Sequence, residues 1–215
     1  MRQMRKVLPK RRIEFCLKGL TTEQKRDIIT RKGIYRRSAN EVFMSKNKTK
    51  VFHRKIDFNY DRDYILERHC RINYECDAPH KRNMPYQKYR NEWFAMPGQL
   101  DSFINALVVS MKDARTIAEI IENEFGRKIA YIWASFHPNS ASGFHYAELQ
   151  EIYVEEEFRA DGTAVMLMDY VEKRSKANGA KLLRSATGVA NIKSIELHKK
   201  MGYAQYRIEF EKMLK

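Results

Sequence analysis

The chain has 215 residues, 43% of them apolar, which is enough for one well-buried α/β domain with an extension. No apolar run reaches bilayer-spanning length, and Met1-Arg-Gln-Met-Arg-Lys lacks the apolar stretch of a secretory signal, so the sequence predicts a cytoplasmic protein without a membrane partner. The net charge of +14 is concentrated, because residues 1–55 carry 18 Lys/Arg against 4 Asp/Glu while residues 56–215 carry 23 of each.

Residues 1–50 therefore read as a basic N-terminal extension and residues 51–215 as the globular domain. Counterion release favours any polyanion on residues 1–55, so nucleic acid, ribosomal RNA or an acidic protein is a partner to expect, with a solvated, solubilising arm as the alternative. Within the extension, Arg11–Leu17 predicts a short strand and Thr21–Thr30 a helix capped by Thr. A second helix over Ser38–Met44, after Gly33, completes a helix–Gly–helix pattern that faintly suggests a helix-turn-helix. Lys46–Lys50 predicts a linker or hairpin tip. Cys16, Cys70 and Cys76 form no Cys-x-x-Cys pair, and Cys70-x5-Cys76-x3-His80 fits no common zinc module, so neither a disulfide framework nor a metal is expected.

Val51–Tyr60 offers an extended run, and Asp61–Cys76 places Tyr64, Ile65, His69, Ile72 and Tyr74 at mostly helical spacing. Pro79, Pro85 and Pro97 make residues 77–98 a loop or broken helix. Leu100–Met111 predicts a helix that buries Phe103/Leu107 and Ala106/Val109. Thr116–Phe136 predicts a hairpin turning at Asn123–Gly126, followed by a loop and a strand ending at Val154.

That strand enters the most informative segment, Glu148-Leu-Gln-Glu-Ile-Tyr-Val-Glu-Glu-Glu-Phe-Arg159-Ala-Asp-Gly162-Thr-Ala164. A strand, a glycine-containing turn and a helix in direct succession aim backbone N–H groups and a helix dipole at one point, which suits phosphate. Arg159 offers a planar donor fork, and Gly162 removes a Cβ that would block close backbone approach. Val165, Leu167, Met168 and Val171 form the apolar stripe of the helix, and Asn178-Gly179 stops it. Lys181–Ala186 then reads as a strand, Asn191–Gly202 as a short helix, and Ala204–Leu214 alternates as a last strand.

The Arg159-x-x-Gly162-x-Ala164 spacing, together with Asn191, Leu197, Gly202 and Tyr203 in a second element, resembles the GCN5-related N-acetyltransferase (GNAT) superfamily over residues 112–215. The resemblance implies an α/β (α+β) fold with a mixed, mostly antiparallel central sheet flanked by helices. It also implies acetyl-coenzyme A as cosubstrate and a primary amine, on a small molecule or a peptide, as acceptor; a homodimer is compatible with it. By the resemblance, the backbone of Arg159, Ala160, Asp161, Gly162, Thr163 and Ala164 holds the pyrophosphate, Ile152, Tyr153 and Val154 pair with the pantetheine arm, and Asn191 touches that arm. A backbone N–H near Val154 would meet the oxyanion.

Direct attack requires an uncharged amine, for which a carboxylate is the natural base. Glu148, eleven residues before Arg159, has the offset of the family's glutamate base. Glu151 is the alternative, on the opposite face of a regular strand unless a bulge intervenes. His198 stands where the family carries a tyrosine general acid, and Asp161 where relatives carry Gly, Arg or Lys. Tyr86, Tyr89, Trp93 and Phe94 are candidates for the acceptor pocket wall, and Glu148, Glu151, Glu155, Glu156 and Glu157 form an acidic set suited to a cationic amine. The competing reading is a nucleic-acid- or ribosome-associated protein whose acyl-coenzyme-A-sensing domain has lost turnover.

Overall fold

The structure, a computed structural model, describes residues 42–44, 50–77, 83–138, 143–159 and 161–212. The readings for Arg11–Leu17, Thr21–Thr30, Cys16, His80 and Ala160 lie outside these residues. So does most of the helix-turn-helix reading, but its last three residues do not. Val42–Met44 is a strand (β1) and not the end of a helix, paired antiparallel with β2 (Lys50–Lys55) in the register Met44↔Lys50. The sheet thus begins inside the segment read as extension.

The extended run ends at Lys55, because Asp57 caps a helix by accepting the Asn59 N–H at 3.0 Å. That helix, α1 (Phe58–Cys76), is followed by α2 (Tyr86–Ala95) and α3 (Gln99–Ser110). Phe103 and Leu107 of α3 are buried as the spacing predicts, whereas Val109 is 60% exposed and Ala106 faces out. The helix sinks only one narrow edge into the core.

β3 (Ile117–Asn123) and β4 (Lys128–His137) form the predicted hairpin, and β5 (Tyr146–Val154) continues it antiparallel. After α4 (Thr163–Ala177), β6 (Leu182–Ser185) returns parallel to β5, and α5 (Ile192–Lys200) closes the order. The sheet order is β1-β2-β3-β4-β5-β6. One face packs its Ile132, Ala134, Ala147 and Leu149 against Leu167, Met168 and Val171 of α4, with Leu197 of α5 beside them. The other packs Ile120, Tyr131, Trp133 and Tyr153 against Ile65, Leu66, Trp93, Phe103 and Leu107 of α1–α3.

Residues 204–212 are not a strand. Tyr206, Ile208 and Phe210 alternate as expected but are 64, 78 and 94% exposed. Alternation creates a strand only where a partner offers ladder hydrogen bonds, and this segment instead lays Tyr206 under the Arg184 guanidinium, 5.2 Å away.

A buried ionic cluster pins α1 to the sheet. The Asp61 carboxylate, 0% exposed, accepts two hydrogen bonds from Arg54 (2.6 and 2.9 Å), one from the Asp57 N–H (2.9 Å), and pairs with Lys128 at 2.7 Å. Burial alone would raise its pKa, but these donors together hold it below the usual carboxylate range.

Candidate active site

The candidate site lies where the pairing of two strands stops. β5 and β6 pair from Tyr146↔Leu182 to Leu149↔Ser185 and no further, so the edge of β5 over residues 150–154 has no β6 partner. A bulge marks the same place: on the β4 side Trp133 stands opposite Glu151 and Ala134 opposite Leu149, leaving Gln150 as the extra residue. The bulge resolves the question of faces. Ala147 and Leu149 point to the α4 side, so Glu148 joins Glu151 on the side of α1–α3.

The two carboxylates live in different surroundings. Glu151 is 7% exposed; its Oε2 accepts the Tyr131 hydroxyl at 2.6 Å, and its Oε1 accepts the Nδ1–H of His69. Since a carboxylate can only accept, His69 carries its proton on Nδ1, and Nε2 accepts from the Asn73 amide at 3.1 Å. The imidazole stacks on Phe103 with 3.7 Å between ring centroids. Burial, then the adjacent Glu151 charge, pushes the Tyr131 phenol well above its ordinary value. The same grouping recurs at Glu119, which meets His53 at 2.8 Å and the Tyr170 hydroxyl at 3.0 Å, on β3 and so two strands from the gap. Each of these glutamates is thus held by one histidine and one tyrosine.

Glu148 is half-buried, accepts from Gln150 Nε2 at 3.0 Å, and lies 3.3 Å from His137 Nε2. Gln150 and His137 also line a cleft of about 360 Å³ between the end of α3 and β4, together with Ser110, Asp113, Trp133 and Ser135. Of the expected aromatic wall, Tyr86 and Tyr89 pack on Tyr74 of α1, and Trp93 is 4% exposed. Of the expected acidic set, Glu155, Glu156 and Glu157 pair with Arg68, Arg71 and Arg127.

The end of β5 that β6 leaves uncovered leads through a 3-10 turn at Glu156–Phe158 to α4. Val154 and Tyr153 are buried, and Ile152 is half-buried. Arg159 folds back, its Nε donating to the Val154 carbonyl at 2.8 Å, with its guanidinium 5.0 Å from the Tyr153 ring centre and 3.6 Å from Glu75. Gly162 takes φ +88°, the left-handed conformation that suits glycine, and the first internal bond of α4 runs from the Met166 N–H to its carbonyl. The N–H groups of Thr163, Ala164 and Val165 therefore precede the helix ladder. Asp161 accepts from the Thr163 N–H at 2.9 Å and from the Thr163 hydroxyl. The carboxylate points inward and occupies part of the helix N-terminus.

Across the gap, Asn191 caps α5 by accepting the Ser194 N–H at 3.3 Å and directs its amide to Cys76 Sγ at the end of α1. Gly188 lies so close to α1 that a Cβ there would overlap the Cys76 carbonyl. His198 donates Nδ1–H to the Ser194 carbonyl at 2.7 Å, and its Nε2 is 2.8 Å from Ser185 Oγ. Ser185, His137, Gln150 and the partners of Glu151 carry no local sequence signal, because each acquires its role from a residue on another strand or helix. Cys70, read against a metal, is fully buried, and burial pushes its thiol up to about 11.

The model of the acetyltransferase (GNAT) family matches residues 73–203, more than half of the chain. The chain belongs to the GNAT acetyltransferase family. The same fold occurs in the aminoglycoside antibiotic 6′-N-acetyltransferase of Acinetobacter baumannii, at 18% identity and TM-score 0.52 over 77% of this chain and 99% of that one. It occurs also in a transcriptional regulator of Bacillus halodurans, at 16% identity and TM-score 0.52 over 76% of this chain and 99% of that one. At such identities these structures share the fold with this GNAT chain and nothing finer. No curated protein matches it in sequence. Among the described residues, no helix is long and apolar enough to cross a membrane.

Proposed function

We propose that this GNAT protein transfers the acetyl group of acetyl-coenzyme A to a primary amine by direct attack. The observation that carries the reading is the β5–β6 gap, which runs at one end into the N-terminus of α4 and has Glu148, close to an open cleft, at the other. Acetyl-coenzyme A supplies an acyl group already activated as a thioester. The chain's own groups fit it: the backbone from Arg159 to Ala164 suits a pyrophosphate, and the free edge over Ile152, Tyr153 and Val154 suits an amide-bearing arm added like a strand.

Glu148 takes the ammonium proton of the acceptor, and the cleft beside it seats the rest of the amine. Glu151 is the weaker candidate for the base, since both its oxygens are engaged by Tyr131 and His69. His198 belongs to the acid side of the reaction. We further propose that residues 1–55, with their excess of fourteen positive charges, bind a polyanion.

The test is thiol release from acetyl-coenzyme A over a panel of amines, beside salt-dependent nucleic-acid binding by the whole chain and by a chain lacking residues 1–41. Release with at least one amine supports the enzyme. No release with any amine, combined with tight nucleic-acid binding, would leave the non-catalytic binding protein as the better account.

A further inference from the structure

The imidazole of His198 is shorter than the phenol its family position implies, and a hydroxyl stands in front of it. We infer that Ser185 protonates the departing sulfur and that His198 recharges it, an inference that rests on the acetyl-transfer reading. Ser185 is the last β6 residue paired with β5, so it stands at the apex of the gap. Its Oγ lies 2.8 Å from His198 Nε2. The opposite ring nitrogen donates to the Ser194 carbonyl at 2.7 Å, so the Nδ1 proton is retained in both charge states and only the Nε2 proton is free to move toward the gap.

The edge of Tyr203, 5.0 Å away between ring centroids, holds the imidazole plane. Burial, then Glu172, pushes the Tyr203 phenol up to about 12, so that neighbour stays neutral. Arg184, next to Ser185 on β6, turns to the other face over Tyr146 at 4.3 Å. On α5 itself, Lys199 and Lys200 are exposed.

As the carbon–sulfur bond breaks, its electron pair remains on sulfur. Ser185 passes its hydroxyl proton to that sulfur, and Oγ takes the Nε2 proton of the His198 imidazolium, leaving a neutral ring. The ammonium loses two protons in becoming an amide. One, through Glu148 and solvent, restores the imidazolium, and the other is released.

The full chain, Ser185→Ala, Ser185→Thr and His198→Phe are compared with acetyl-coenzyme A and an amine that the unaltered chain accepts. Ser185→Ala should lower kcat about 100-fold with KM for acetyl-coenzyme A unchanged, and Ser185→Thr, which keeps the hydroxyl, should recover to within about threefold. Adding His198→Phe to Ser185→Ala should cost nothing more, because the two act as one unit. A readout independent of turnover is the ring-nitrogen NMR signal of His198: coenzyme A should move Nε2 in the unaltered chain and in Ser185→Thr, and not in Ser185→Ala. A Ser185→Ala variant working at full speed, or an Nε2 shift that survives in it, overturns the relay alone. An unaltered chain that acetylates no amine overturns the transfer reading, and the relay with it.

Discussion

Leu149 of β5 stands opposite Ser185 of β6, and theirs is the last pairing the two strands make. Beyond it the sheet is open. Glu148 and Glu151 lie on the face covered by α1–α3, while Ser185 meets His198 of α5 on the other, so an acyl group in the gap would have a base on one side and an acid on the other. The two glutamates should then separate in experiment. Glu148→Gln should reduce kcat about 100-fold. Glu151→Gln should spare kcat and lower the denaturant midpoint, since it weakens bonds to Tyr131 and His69 in a site 7% exposed. Steady-state rates and urea titrations of both variants distinguish the two roles.

Asp161 presents a carboxylate to the end of α4 that a pyrophosphate would approach, and it accepts the Thr163 N–H that such a group would use. Asn keeps an acceptor for that N–H without the charge. Asp161→Asn should therefore tighten coenzyme A binding about two- to fivefold, matching the ~0.3–1 kcal/mol of a single charge at a helix terminus, with the gain shrinking at high salt. Calorimetric titration at two ionic strengths measures it; weaker binding in the variant would mean that Asp161 orders the turn more than it repels the ligand.

The contrast between what the sequence discloses and what it hides follows from range. The βα turn is legible because strand, glycine and helix are adjacent in the chain and each leaves a local mark: Gly162 adopts φ +88°, and Leu167, Met168 and Val171 are buried as their spacing predicts. The gap is not legible, because it depends on where β6 stops following β5, which involves residues 36 apart. The bulge at Gln150 leaves no mark either, and it alone decides that Glu148 and Glu151 share a face. Tyr206, Ile208 and Phe210 show the opposite failure, a strong local signal without a partner strand.

The stability of the fold should respond to acid through Asp61. Its folded-state pKa lies below the unfolded value of about 3.9, because the bonds from Arg54 and Lys128 outweigh its burial. On acidification the unfolded chain binds this proton first. The contribution is therefore complete above about pH 5 and is lost as pH falls through the folded value. Asp61→Asn strands two cations against the core and should cost about 3–5 kcal/mol at pH 7, nearer the lower figure because Arg54 keeps Glu122 at 2.8 Å. Urea midpoints at pH 7 and at about pH 3, below the unfolded value, should show a difference between the two proteins that narrows in acid.

Gly188 fixes how closely the segment after β6 approaches the end of α1. A Cβ on it would overlap the Cys76 carbonyl, and backbone cannot yield as a flexible side-chain tip would. Gly188→Ala must therefore push residues 186–191 off α1, breaking the contacts of Thr187 and Asn191 with Cys76 Sγ. Those residues bound the gap, and Asn191 caps α5, the helix that carries His198. The variant should unfold at a lower urea concentration, by about 1–3 kcal/mol, and should bind coenzyme A more weakly even where it remains folded. Ala at this position with unaltered stability and unaltered coenzyme A affinity would show that the segment shifts freely and that its contact with Cys76 does not shape the site.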